Sequence, residues 1–87
     1  MDLIIMQLYK LFKGSEPEDK IRLLAKAANL QSADKIDALV AYFCNGDSQR
    51  LCEQIYGIRQ QTISSAVTEL NKHYELACKI VYSERSN

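Results

Sequence analysis

The sequence predicts an all-α fold: a small helical domain with a helix-turn-helix and an extended C-terminal recognition helix. Three observations carry that expectation. Apolar residues recur at the i, i+3, i+4, i+7 spacing of a buried helix face, most clearly at Ile63, Ala66, Val67 and Leu70. Helix-forming residues dominate, with three Gly and one Pro as punctuation. Hydroxyl residues stand just ahead of the periodic stretches, where a helix start needs acceptors for its free N–H groups. At 87 residues the chain makes one domain, residues 1–87, and 47% apolar content suffices for a compact core.

Met1 to Lys13 is apolar, with Leu3, Ile4, Ile5, Met6, Leu8, Tyr9, Leu11 and Phe12. It falls short of the about 20 apolar residues that span a bilayer. It also lacks a basic start and a small-residue cleavage site, so no signal peptide is expected. A helix is favoured here over a strand. The apolar surface of residues 1–14 either packs on the domain or meets a second subunit.

Lys13-Gly14 ends that segment, and Ser15-Glu16-Pro17-Glu18 reads as a capping box with Pro17 in the first turn. The helix it opens runs to about Asn29, with Ile21, Leu24, Ala25 and Ala28 inward and Lys20, Arg22 and Lys26 solvated. Ser32 caps a support helix over residues 32–45, whose buried face is Ile36, Leu39, Val40 and Phe43. Asn45-Gly46 stops it. Asp47 or Ser48 then caps a short helix with Leu51 and Ile55 one turn apart. Gly57 sits at a sharp turn, Ile58 plugs it from below, and the recognition helix follows. Tyr74, Ala77 and Val81 continue its apolar stripe, so helix is expected to about Tyr82, with a frayed tail over residues 83–87.

The polar side of that last helix points to function. At about 100° per residue, Gln61, Ser65, Thr68 and Lys72 fall opposite the apolar stripe, flanked by Gln60, Thr62 and Ser64. These side chains are amides and hydroxyls, where a merely solvated face carries Glu, Lys and Arg. Gln pairs bidentately with adenine, and Ser and Thr hydroxyls suit bases or phosphates. Gln60, Gln61, Ser64 and Ser65 are therefore the candidate base readers. Arg59, Thr62, Thr68 and Lys72 are candidates for phosphates or outer bases.

Formal net charge is zero, with eleven basic and eleven acidic residues. Nonspecific nucleic-acid binding draws on many Lys and Arg, so one copy is expected to bind DNA weakly. Useful affinity would then need a local basic patch, a dimer or assembly along the DNA. The three cysteines, Cys44, Cys52 and Cys78, form no CxxC motif, and their odd number suits reduced thiols in a cytoplasm. His73 stands alone, and no metal or other cofactor is expected. Nor is an enzyme expected. No carboxylate pair with a supporting motif, no nucleophile beside a base and no phosphate loop is present.

From Gly14 to Tyr82 the chain resembles the PapB-type regulators of fimbrial adhesin biosynthesis in enteric bacteria. The resemblance lies in Gly14-Ser15 with Leu23-Leu24, and in Asp34-Lys35-Ile36 through Ala41-Tyr42-Phe43 to Gly46 and Ser48. It continues in Cys52-Glu53, Tyr56, Ile63-Ser64 and the Leu76-Ala77 to Tyr82 run. The turn from Tyr56 to Ser64 is closer to plasmid-borne repressors of the KorA (TrfB) type. Two positions depart from both patterns. Arg59 stands where such helices carry a Ser or Thr cap, and Glu53 where a small residue is usual, so that a slightly rotated helix would give the buried role to Cys52 beside it. The resemblance implies a nucleoid-associated transcription regulator that binds AT-rich promoter DNA as a homodimer or higher oligomer. The competing expectation is a protein-interaction module on the same scaffold, acting on another regulator.

Overall fold

A computed structural model describes residues 10–86. Among these residues four α-helices follow one another: α1 (Glu18–Ala27), α2 (Ala33–Val40), α3 (Gln49–Tyr56) and α4 (Gln60–Ser86). A π-helical turn, Ala41–Asn45, extends α2. The described residues contain no strand, so the fold is all-α.

Two helix starts form as the serines predict. Ser32 Oγ accepts from the Lys35 N–H at 3.2 Å, and Ser48, rather than Asp47, accepts from the Leu51 N–H at 3.0 Å. Each bond satisfies a donor with no partner inside the helix. The expected capping box at Ser15 and Glu18 does not form. Ser15 is held in a turn, its N–H and hydroxyl both donating to the Phe12 carbonyl at 3.4 Å. Pro17 takes the cap position instead, and Glu18 engages Arg22 at 2.8 Å. Helix α1 ends two residues before Asn29, which adopts the left-handed conformation at φ 61°. There the Leu30 N–H reaches the Ala25 carbonyl and the Asn29 N–H reaches Lys26, closing the helix end.

Residue 1–9 lie outside the described part of the expected N-terminal helix, and Lys10 to Lys13 is not helical. This arm is tied down by polar contacts. The Leu11 N–H donates to Asn71 Oδ1 at 2.9 Å, while Asn71 Nδ2 donates to the Val67 carbonyl at 3.2 Å. Glu16 is buried, and its carboxylate accepts from the Phe12 N–H at 2.7 Å and from Lys20 Nζ at 2.8 Å. The Lys20 ammonium also lies 4.3 Å from the centre of the Tyr74 ring. Lys20 is thus a packing residue, not part of a solvated face. The widened π turn leaves the Phe43 carbonyl to accept from the Glu16 N–H at 3.0 Å. Gly14 and Gly46 meet at the same place, both with positive φ. A Cβ on Gly14 would lie 3.2 Å from the Gly46 Cα.

The core has two clusters. Leu11, Ile21, Leu39, Phe43, Ala66 and Leu70 form the larger, at the junction of the arm with α1, α2 and α4. Ala38, Ala41, Cys52 and Ile63 form the smaller, under α3. Leu51 and Ile55 stand one turn apart on α3, 39% and 57% exposed. Cys52 is fully buried, and its thiol donates to the Ala38 carbonyl at 3.5 Å. Small side chains at 38, 41 and 52 let α3 approach α2 closely, which turns the larger Leu51 and Ile55 outward. Helix α4 also outruns its expected end. It stays helical through Ser86, with no Gly or Pro to stop it, a Glu75–Lys79 pair at 3.2 Å, and Arg85 in its last turn.

Candidate nucleic-acid interface

Helices α3 and α4 meet through Gly57, Ile58 and Arg59. Gly57 closes α3 in the left-handed conformation at φ 69°, its N–H returning to the Glu53 carbonyl at 2.9 Å. Ile58 is half-buried against the smaller cluster, as a plug under the turn. Beyond the turn, Ile63, Ala66 and Leu70 anchor the inner side of α4. That anchoring fixes which way the opposite side faces.

The start of α4 explains the two unusual residues at 53 and 59. Arg59 is exposed and offers no cap side chain. The Glu53 carboxylate reaches across from α3 and accepts from the Gln60 N–H at 3.3 Å and from Gln60 Nε2 at 3.4 Å. A carboxylate there also complements the positive end of the helix dipole. Glu53 therefore supplies the acceptor that Arg59 lacks, and links the two helices in doing so.

The eight candidate side chains separate into groups. Gln61, Ser64, Ser65, Thr68 and Lys72 are all exposed and line one shallow groove along α4. Thr62 is half-buried and lines an adjoining groove with Lys35, Gln61 and Ser65. Gln60 is exposed but engaged with Glu53, which makes it a positioning residue as much as a reader. Arg59 stands exposed in the turn, outside both grooves.

Two residues of this surface escaped the reading of the sequence. Lys35, in the first turn of α2, brings a cation to the groove from a helix far away in the chain. Glu69 lines both grooves and opposes Lys35 and Lys72 in charge. Its Oε2 lies 3.4 Å from His73 Nε2. Glu69 follows Thr68 directly, so its place beside the polar stripe was open to helical-wheel reasoning. Lys35 had no such signal, because its position depends on how α2 crosses α4.

The cysteines are all free. Burial, then the nearby Glu18 and Glu16, pushes the Cys44 thiol up; burial, then Asp47, does the same to Cys52. Both stay protonated at neutral pH, which makes them poor nucleophiles. Among the described residues no group of three or more His, Cys, Asp or Glu could hold a metal. No described helix is long and apolar enough to cross a membrane. No family model, curated protein or solved structure matches this chain.

Proposed function

We propose that α3 and α4 act as a helix-turn-helix, and that the groove along α4 reads duplex DNA in a transcription regulator. The observation that carries this reading is the outward row Gln61, Ser64, Ser65 and Thr68, backed by the fully buried Ile63 and Leu70. Amides and hydroxyls held on a rigid helix suit base edges. Lys35, Lys72 and Arg59 supply phosphate contacts around them. The resemblance to PapB-type and KorA-type regulators points to the promoters of fimbrial or plasmid operons, in a bacterial cytoplasm. Zero net charge keeps one copy weak, so the protein acts as a dimer or higher oligomer.

The test is binding of AT-rich duplexes by the wild type and Gln61→Ala at several salt concentrations. The wild type should bind with a steep fall in affinity as salt rises. Gln61→Ala should lose about 1–3 kcal/mol and relax specificity at one base pair. No binding to any duplex at low salt would overturn the proposal.

A second reading has its own support. Leu51 and Ile55 form an exposed apolar pair on α3, and Glu69 places negative charge in the groove. Both suit a module that docks another regulator. Binding of a protein partner with little salt dependence, lost in Leu51→Lys with Ile55→Lys, would favour it.

A further inference from the structure

The last third of α4 leaves the body of the domain. Helix α4 has 27 residues, roughly 40 Å at about 1.5 Å each. The described residues measure 46 × 23 × 21 Å, so that helix accounts for their length. No described α4 side chain beyond Leu70 is fully buried, and from Lys79 to Arg85 all are exposed. Yet this stretch carries Leu76 and Ile80, 59% and 54% exposed, and Val81 and Tyr82. A helix end meant only for water is polar all round.

Val81 continues the inner stripe of Ile63 and Leu70, and the others lie on two further sides. At about 100° per residue, Cys78 and Tyr82 fall within about 20° of Asn71. That is the side on which the N-terminal arm reaches α4, through the Leu11–Asn71 bond. Leu76 and Ile80 lie about 140° and 180° around the helix from Asn71, facing away from that tether.

We propose that the Leu76–Ile80 face is a seam for a second copy of this chain, packed as an antiparallel helix pair about a twofold axis near residue 78. Leu76 then meets Ile80 of the partner subunit, and the reverse. In a twofold antiparallel pair each flank faces its own equivalent. On one flank Lys79 lies about 3 Å along the axis from Glu75 of the partner subunit. On the other, His73 lies about 1.5 Å along the axis from Glu84 of the partner subunit. Hydrogen-bonding or oppositely charged groups meet on both flanks. A parallel pair is disfavoured, because Glu69 falls at the centre of the same face and would meet the partner's Glu69. It would also crowd the two bodies at the groove that Lys35 and Glu69 line.

This seam deepens the oligomer of the proposed function, though it forms without DNA. It also orients the reading faces. The Gln61–Thr68 stretches of the two copies look to the same side, roughly 40 Å apart along the helix axis. Half-sites one turn apart on DNA are separated by about 34–36 Å.

The experiment is sedimentation equilibrium of the full chain in the absence of DNA. The wild type should show twice the 9.9 kDa chain mass, with a dissociation constant on the order of 10 µM. Leu76→Glu with Ile80→Glu should be monomeric with unchanged helical circular dichroism. Leu51→Glu with Ile55→Glu, and Ile5→Glu with Leu8→Glu, should both remain dimeric. Glu84→Lys should weaken the dimer about three- to tenfold, and adding His73→Glu should restore it. A wild type monomeric up to about 1 mM overturns the seam, as does a dimer that survives at 76 and 80 but is lost at 51 and 55 or at 5 and 8. So does a charge swap that restores nothing. A dimer that binds no duplex would sink the DNA reading and leave the seam intact.

Discussion

The two clusters of the core hold their helices by different means. The larger sets Phe43, Leu39, Leu70 and Ile21 against one another, all fully buried, and the Asn71 and Glu16 contacts brace it from the arm. Tyr42 adds an edge-on ring contact to Phe43 at 5.0 Å. The smaller rests on Ala38, Ala41, Cys52 and Ile63. Bulk stabilises the first; close backbone approach defines the second. The difference teaches where stability and adaptability lie. The body around Phe43 sets the folding free energy, while α3 is an eight-residue helix seated on small side chains. The proposed reading surface stands on both, since Ile63 belongs to the smaller cluster and Leu70 to the larger.

The largest effect should come from truncating each cluster in turn. Phe43→Ala removes a ring that its neighbours cannot replace, and should cost about 3–5 kcal/mol. Small domains hold about 5–15 kcal/mol in total, so much of the population would unfold. Cys52→Ala deletes one sulfur and a weak donor, and should cost about 1 kcal/mol. Urea unfolding followed by circular dichroism gives both values. Equal costs would end the distinction between the two clusters.

Much of this was legible before the fold was known. Ser32, Ser48 and Gly57 act within three or four residues of themselves, so their roles follow from local chemistry. The stripe at Ile63, Ala66 and Leu70 obeyed helical periodicity, and the outward row followed from it. What was missed depends on contacts across the chain. Asn71 holds Leu11 from 60 residues away, and nothing near either residue announces it. That Cys52 could take the buried role beside Glu53 was legible; the reason it does lies in the small residues of α2 opposite. Glu53 and Arg59 looked like two separate departures from a pattern, and only the seven-residue reach of one carboxylate joins them. The Ser15 misreading has a similar cause. Its box matches the rule, but Gly14 against Gly46 fixes the arm in a turn that leaves Ser15 no cap to make.

The glycines sharpen the same contrast at smaller cost. Gly14 and Gly57 share the left-handed conformation, at φ 83° and 69°. An L residue there costs about 1–2 kcal/mol. At Gly14 an added Cβ would also press on the Gly46 backbone at 3.2 Å, whereas at Gly57 it would meet nothing within 4 Å. Gly14→Ala should therefore cost about 2 kcal/mol or more, and Gly57→Ala about 1 kcal/mol. Thermal melts of the two variants measure the difference. If Gly57→Ala proves the more damaging, the turn before α4 bears more of the fold than the arm does.

The smallest effect concerns the polar brace on the larger cluster. Burial works against the Lys20 charge, but the hydrogen bond to Glu16 and the neighbouring Tyr74 outweigh it, and the pKa stands above the ordinary lysine value of 10.5. A raised folded-state value means that the charged form is the stabilising one. Its contribution is fully present below the unfolded-state pKa and is lost as pH rises through the folded-state value, hence above pH 10.5. The Lys20 side chain is about one-third exposed, so solvent screening holds the contribution to about 1 kcal/mol or less. Lys20→Met should be less stable than the wild type by that amount at neutral pH, since it leaves the buried Glu16 without its cation. The gap should close in strong alkali, where the wild-type lysine is itself neutral. Paired urea titrations of the two proteins across that range cancel the tyrosine ionisations common to both. A gap that stays constant with pH would show that the aliphatic stem of Lys20 packed on Tyr74, not its charge, braces the arm.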